Sequence, residues 1–232
     1  MNKTLAIGHR GARGYLAENT LPSFDYAIEL GCDWVELDVY HVDGELLVIH
    51  DTSVDRTTNG TGLVAELSFA HIRSLNAGDC QPVPTLQEVI SLVDRRCKIN
   101  IELKGPDTAR PVSDLLNQYC NAQWTPEDFL ISSFDHTELE LANPIYPRGI
   151  LFAKCTPNMW ETPDRLRAWS VNFEKSEVNR SLVEDAHCRG YKLLVYTVNV
   201  RDEIIDMIDC GVDGIFSDYP DRIVNLRQSY CA

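Results

Sequence analysis

No segment of this sequence approaches the roughly 20 consecutive apolar residues that a membrane-spanning helix needs. Nor is there a basic excess: 21 Lys and Arg stand against 35 Asp and Glu, a formal net charge of −14. The first absence argues against helical insertion into a bilayer. The second disfavours nucleic acid and anionic membrane as partners, because both require a basic footprint. The eight cysteines form no Cys-x-x-Cys pair and no Cys/His zinc spacing. They read as free thiols, since a chain of 232 residues, 44% of them hydrophobic, can bury a core without disulfide staples. Only residues 5–8 are continuously apolar ahead of His9 and Arg10, too few for the core of a secretory signal, so a reducing cytoplasm is the expected location. With 24% charged residues the composition is that of an ordinary globular protein rather than a disordered, collagenous or coiled-coil one. The length suits a single domain over 1–232.

What is present is a regular alternation. Short β-rich runs at 4–8, 33–40, 98–103, 128–132, 148–152, 170–173, 191–197 and 213–217 alternate with helical segments. The helices are expected at 20–31, 85–95, 109–122, 136–143, 163–168, 180–189, 201–209 and about 220–228. Eight strand–helix units predict a closed (β/α)8 TIM barrel, because parallel strands need crossover helices and are buried on both faces. An open doubly wound sheet is the alternative, but no G-x-G-x-x-G follows the first strand. Pro22 early in the first helix, Asn179 before the segment 180–189, and Gly31, Gly190 and Gly211 are suitable helix starts and stops.

The alternation is interrupted once, from about 41 to 84, between the second strand and its helix. Asp43-Gly44 between apolar runs predicts a β-hairpin there, and the remainder reads as loop. In a barrel such a small insertion projects from the C-terminal ends of the strands, where active sites are built.

Glu36 and Asp38 are two apart in Trp34-Val35-Glu36-Leu37-Asp38-Val39, so on a strand both carboxylates face one side and the apolar residues the other. Glu102, in Asn100-Ile101-Glu102-Leu103-Lys104, adds a third carboxylate at the matching end of the next barrel strand. Burying like charges is costly unless a cation joins them or a proton is retained. Three such acids make a hard oxygen site for one divalent cation, Mg²⁺ or Ca²⁺; singly, each could equally be a salt-bridged core acid. His9 and Arg10 lie between Gly8 and Gly11 at the end of the first strand, placing a titratable base beside a planar cation suited to phosphate oxygens. For His50, register decides. A plain two-residue turn at Asp43-Gly44 pairs 37 with 50 and sets the imidazole on the apolar face. A one-residue bulge, or a position beyond the ladder, brings it among the carboxylates, and one of these is expected. His41, His71, His136 and His187 fall at surface or helical positions and are assigned no role.

Taken in order, several words resemble the glycerophosphodiester phosphodiesterase family: His9-Arg10-Gly11, then Ala17-Glu18-Asn19-Thr20-Leu21-Pro22-Ser23-Phe24, the stretch from Gly31 to Val39, and His50-Asp51 with Asp55-Arg56-Thr57-Thr58. Further on, Ile101-Glu102-Leu103-Lys104, Ser132-Ser133-Phe134, Tyr196-Thr197-Val198-Asn199 and the run from Asp213 to Pro220 continue the likeness. The resemblance implies a TIM barrel with an insertion after the second strand. It also implies metal-dependent hydrolysis of glycerophosphodiesters, such as glycerophosphocholine or glycerophosphoethanolamine, to sn-glycerol 3-phosphate and an alcohol. By position it makes Glu36, Asp38 and Glu102 the metal ligands and His9 and His50 the acid/base pair. Arg10 and Lys104 become phosphate contacts, with Glu18, Phe134 and Tyr196 near the substrate. Tyr196 stands where many members have Trp, a difference placed to alter the wall that receives the leaving alcohol. The partner is then a small molecule, and monomer and homodimer are both compatible with the sequence. Two rivals use the same residues otherwise: a metal-free glycosidase working through paired acids, and a phosphate-ligand binding module on a retired barrel.

Overall fold

The computed structural model describes residues 3–120 and 123–230. The start of the chain, the last two positions of the helix expected at 109–122, and the thiol of Cys231 lie outside the described residues. Among the described residues the strands are β1 (Leu5–Gly8), β2 (Trp34–Val42), β3 (Glu45–Val48), β4 (Lys98–Leu103), β5 (Phe129–Ser133), β6 (Arg148–Phe152), β7 (Ser170–Glu174), β8 (Lys192–Tyr196) and β9 (Gly214–Ser217). The helices are α1 (Leu21–Glu29), α2 (Phe69–Ser74), α3 (Leu86–Val93), α4 (Ala109–Cys120), α5 (His136–Glu140), α6 (Glu161–Leu166), α7 (Arg180–Cys188), α8 (Arg201–Cys210) and α9 (Pro220–Tyr230). Eight strands run parallel in the order β1-β9-β8-β7-β6-β5-β4-β2, and β2 pairs back onto β1, closing a (β/α)8 barrel. The open-sheet alternative is thereby excluded. None of the described helices is long and apolar enough to cross a membrane.

The barrel forms because each strand presents two apolar or one apolar and one functional face. Val35, Leu37 and Val39 pack outward with Ile99, Ile101, Phe129 and Ile131 against helix residues such as Phe24, Leu86, Ile90 and Leu116. Inside, Ile7, Trp34, Leu130, Leu194 and Phe216 form a smaller apolar layer. Each fully buried side chain of this kind contributes roughly 1.5–3 kcal/mol, a gain large enough to offset the burial of acids at the barrel mouth. The helix ends follow their sequence signals. Asn179 Oδ1 accepts from Leu182 N–H at 3.0 Å, Thr85 and Glu88 form a reciprocal cap on α3, and Gly31, Gly190 and Gly211 all take positive φ.

The interruption between β2 and α3 is more structured than a loop. β3 pairs antiparallel with β2 through the plain turn at Asp43-Gly44, with Val42 opposite Glu45 and Val39 opposite Val48. Of the two arrangements expected for His50, the bulge is not the one that forms. Instead β3 ends at Val48, Ile49 N–H makes a last contact with the Asp38 carbonyl at 3.0 Å, and His50 lies beyond the ladder. Helix α2, not anticipated from the sequence, is capped by Ser68 and contributes Ile72 to a separate apolar cluster with Val54, Val64, Leu75 and Val83. Arg73 of α2 grips Glu88 of α3 with two hydrogen bonds at 3.0 and 2.8 Å, tying the insertion to the barrel wall.

Candidate active site

The turn after β1 sets the geometry. Arg10 (φ 53°) and Gly11 (φ 81°) both adopt left-handed backbone conformations. For a non-glycine residue this is uncommon and must be held by its surroundings. Arg10 N–H donates to Glu36 Oε2 at 2.9 Å, and the Ser23 hydroxyl donates to the Arg10 carbonyl at 3.1 Å. A Cβ at Gly11 would lie 2.5 Å from Ser23 Oγ, so only glycine lets α1 approach this closely. The turn directs His9 and Arg10 into a cavity of about 220 Å³ at the C-terminal mouth of the barrel. His50, Glu36, Glu102, Phe134 and Tyr196 line the same cavity, with Asn100, Leu151, Thr197 and Phe216 completing its floor and wall. The remaining residues nominated from the sequence, Asp38, Lys104 and Glu18, stand immediately behind these.

Asp38 and Glu102 are direct register partners on β2 and β4. One ligand oxygen from each of Glu36, Asp38 and Glu102 lies within 4.8 Å of the others. Lys104 Nζ donates to Glu102 Oε1 at 2.7 Å and stands 3.5 Å from Asp38 Oδ1. Asp38 Oδ2 accepts from Asn19 Nδ2 at 3.0 Å and lies 3.3 Å from Arg10 Nε, while Oδ1 is buried without a hydrogen-bond partner. Burial and the charge of Asp38 push Glu36 well above the usual carboxylate range, and the same two causes lift Glu102 to about 7. Asp38 is equally buried, but Lys104 and Arg10 hold it below its ordinary value. Around the site the carboxylates of Glu18, Glu36, Asp38, Asp51, Glu102 and Asp218 face the cations Arg10, Arg13, Arg56 and Lys104. Two retained protons or one divalent cation close that gap in charge. The orphaned Asp38 oxygen and the all-carboxylate donor set fit a hard divalent cation.

Each histidine is held by a carboxylate. His9 Nδ1 lies 2.7 Å from Asp218 Oδ1, and Asp218 is itself fixed by Asn199, whose Nδ2 donates to Oδ2 at 2.8 Å and whose Oδ1 accepts from Asp218 N–H at 2.8 Å. His50 Nδ1 lies 2.6 Å from Asp51 Oδ1. With both Nδ1 atoms engaged, Nε2 is the nitrogen left to each ring for proton transfer to a bound molecule. Burial lowers both imidazole pKa values, and the paired aspartates oppose that shift. On the opposite side Phe134 is 45% exposed and meets the Tyr196 ring edge-on at 5.8 Å. The Tyr196 hydroxyl donates to the Phe152 carbonyl at 2.8 Å, so an aromatic surface without a free hydroxyl forms this wall.

Reading the sequence missed Asp51, Asp218, Asn19, Asn199, Arg13 and Arg56. Asp51 adjoins His50, and Asp218 follows β9 as His9 follows β1, so a search for carboxylates one step past each strand end would have found Asp218. Asn19 and Arg56 carry no such signal, because their partners come from distant segments. Glu18 does not reach the cavity; it accepts from Arg10 Nη1 at 2.8 Å.

Comparison with known proteins bears on this arrangement. The profile of the Glycerophosphoryl diester phosphodiesterase family matches residues 9–222. A glycerophosphodiester phosphodiesterase of Caldanaerobacter subterraneus subsp. tengcongensis is 36% identical over 237 residues, covering 97% of this chain and 98% of the relative. One from Bacillus altitudinis is 33% identical over 242 residues, covering 97% and 98%. Among solved structures, an Oleispira antarctica phosphodiesterase in complex with the product sn-glycerol-3-phosphate superposes with a TM-score of 0.85 at 29% identity, covering 94% of each chain.

Proposed function

Since the chain belongs to the glycerophosphoryl diester phosphodiesterase family, we propose that it hydrolyses small glycerophosphodiesters, such as glycerophosphocholine or glycerophosphoethanolamine, to sn-glycerol 3-phosphate and an alcohol. One observation carries the reading: two aspartate-held histidines and three converging carboxylates share a single cavity. The product named in the Oleispira antarctica complex agrees with it.

A phosphodiester resists attack because its anionic oxygens repel nucleophiles, and charge grows as the P–O bonds rearrange. Glu36, Asp38 and Glu102 would hold Mg²⁺ or Ca²⁺, which when bound supplies Lewis acidity toward the phosphoryl oxygens. Arg10 offers a planar fork to the same oxygens, and Lys104, behind Glu102 and Asp38, adds a point charge to the field they feel. His9 and His50 divide the two proton transfers: one takes the proton from the attacking oxygen, either that of water or that of the glycerol 2-hydroxyl on the way to a cyclic phosphate that water then opens, and the other gives a proton to the departing alkoxide. Phosphorus exchanges one P–O bond for another, so no oxidant or reductant is needed. Phe134 and Tyr196 form the wall against which the carbon skeleton rests. The free thiols of the described cysteines suit a reducing cytoplasm.

The test is release of sn-glycerol 3-phosphate from a panel of glycerophosphodiesters, after chelation and after readdition of Mg²⁺ or Ca²⁺ singly. Release that stops on chelation and returns with a cation is expected. Glycoside cleavage indifferent to chelator, or binding of glycerophosphocholine without turnover in either cation, contradicts it.

A further inference from the structure

Arg56 does not line the cavity, yet its guanidinium is fully engaged by two carboxylates beside it. Nε donates to Asp51 Oδ2 at 2.6 Å and Nη2 to Asp51 Oδ1 at 2.9 Å; Nη1 donates to Glu18 Oε2 at 2.9 Å and Nη2 to Glu18 Oε1 at 2.8 Å. Both contacts are two-pronged, so one rigid plane fixes the rotation of both carboxylates. Each carboxylate passes that constraint on. Asp51 Oδ1 meets His50 Nδ1 at 2.6 Å, and Glu18 Oε1 accepts from Arg10 Nη1 at 2.8 Å. His50, Asp51, Arg56, Glu18 and Arg10 thus form one unbroken chain joining the turn after β1, the exit of the hairpin and the insertion.

Arg13 also approaches Glu18, at 3.6 Å, but among the described residues no other basic side chain touches both carboxylates. Without the guanidinium, two negative groups would face each other across its place. The Arg56 side chain is 47% exposed, and ion pairs that wet contribute little to stability. Its geometric effect is larger, because orientation of a reacting group tolerates little error.

We propose that Arg56 is a positioning residue that aligns His50 and Arg10 together, so that the proton-transfer group and the phosphate-binding group are set by a single side chain. This rests on the roles given to His50 and Arg10 above. It predicts a signature in two kinetic parameters. Asp51→Asn, whose first effect is on His50, mainly lowers kcat; Glu18→Gln, whose first effect is on Arg10, mainly raises KM; Arg56→Met does both, lowering kcat/KM roughly 10-fold to 100-fold. Asp51→Asn added to Arg56→Met costs less than it does alone, because the chain is already broken. Arg56→Lys recovers only part of the loss, since an ammonium cannot make two forks.

The experiment is steady-state kinetics on glycerophosphocholine for the wild type, Arg56→Met and Arg56→Lys. Thermal melts establish the folded fraction, and ¹⁵N NMR of the His50 ring reports which nitrogen carries the proton. The inference expects the split above and a change in the His50 nitrogen signals. Wild-type turnover with kcat and KM of Arg56→Met both within twofold of normal overturns it. So does activity lost only in proportion to folded protein while the His50 signals stay fixed. Should the wild type fail to hydrolyse any glycerophosphodiester, the functional reading fails instead, and the His50 signals still decide whether Arg56 orients the ring. If Arg56→Met does not fold, Arg56→Lys carries the same comparison.

Discussion

At the scale of single residues, the proposed chemistry rests on two imidazoles held by separate carboxylates, His9 by Asp218 and His50 by Asp51. His9→Ala and His50→Ala should each lower kcat by about 10²-fold to 10⁴-fold, the usual worth of general acid–base assistance, with substrate binding preserved. Titration by product release under saturating and limiting substrate separates the two effects. Near-normal turnover by either variant contradicts the assignment. The pH dependence has a definite sign. Burial brings both histidines below their ordinary value of 6.5, so the one that must be neutral to accept a proton becomes available at lower pH. The acidic limb of kcat/KM should therefore have its midpoint below pH 6.5. Asp218 raises the His9 value, so if His9 is that base, Asp218→Asn moves the limb further toward acid; a shift toward alkaline pH contradicts this. These residues were unequally legible. Glu36, Asp38 and Glu102 could be read from strand periodicity, because a strand places alternate residues on one face. Asp218 stands one step past β9 as His9 stands past β1 and could have been found that way, but Arg56 could not, because its importance lies in contacts that only the folded insertion creates.

At the scale of elements, the long buried strands were the most visible in the sequence, since β2 and β4 carry their apolar residues at strict alternation. Short helices were the least. α2 has only six residues and is held by the Ser68 cap and the burial of Ile72, too short a run to show a helical period. The placement of His50 turned on where the ladder stops. Sequence offered the turn but not the stop: the last bond to β2 is Ile49 N–H to the Asp38 carbonyl at 3.0 Å, and no residue pattern marks that point. The insertion also has its own core, and this gives a prediction. Ile72→Ala removes a fully buried side chain from that cluster and should cost about 2–5 kcal/mol locally. Limited proteolysis should then cut within residues 52–82 faster than in the wild type, at temperatures where the barrel is still folded. An unchanged cleavage rate would show that the insertion does not unfold separately from the barrel.

At the scale of the whole molecule, the charge of −14 is unevenly meaningful. Most of it is a solvated surface that favours solubility. At the barrel mouth it is an unbalanced cluster, for which protons compete with the proposed cation. An acid whose folded pKa exceeds its unfolded one binds a proton preferentially when folded, so the contribution of Glu102 to the stability of chelated protein should fall as pH rises from about 4.5 through about 7, while the lowered imidazoles of His9 and His50 act in the opposite sense below pH 6.5. Glu18, lowered to about 2 by Arg56 and Arg10 against the opposing effect of burial, titrates below this window. Readdition of Mg²⁺ or Ca²⁺ should raise Tm more at pH 8 than at pH 5. At a hundred times Kd the gain is about 2.7 kcal/mol, on the order of 5–10 °C for a chain of this size. Equal melting curves with and without cation at pH 8 would remove the carboxylate cluster from the account. On the proposed reading this one cavity converts a phosphodiester to a phosphomonoester by means of a cation. Phosphorus NMR of glycerophosphocholine mixed with chelated protein, followed before and after addition of Mg²⁺ or Ca²⁺, tests it most directly. The diester resonance should stay constant under chelation and be replaced by the sn-glycerol 3-phosphate resonance once a cation is present. A folded protein that leaves the diester unchanged in both cations, or converts it equally fast in chelator, would contradict it.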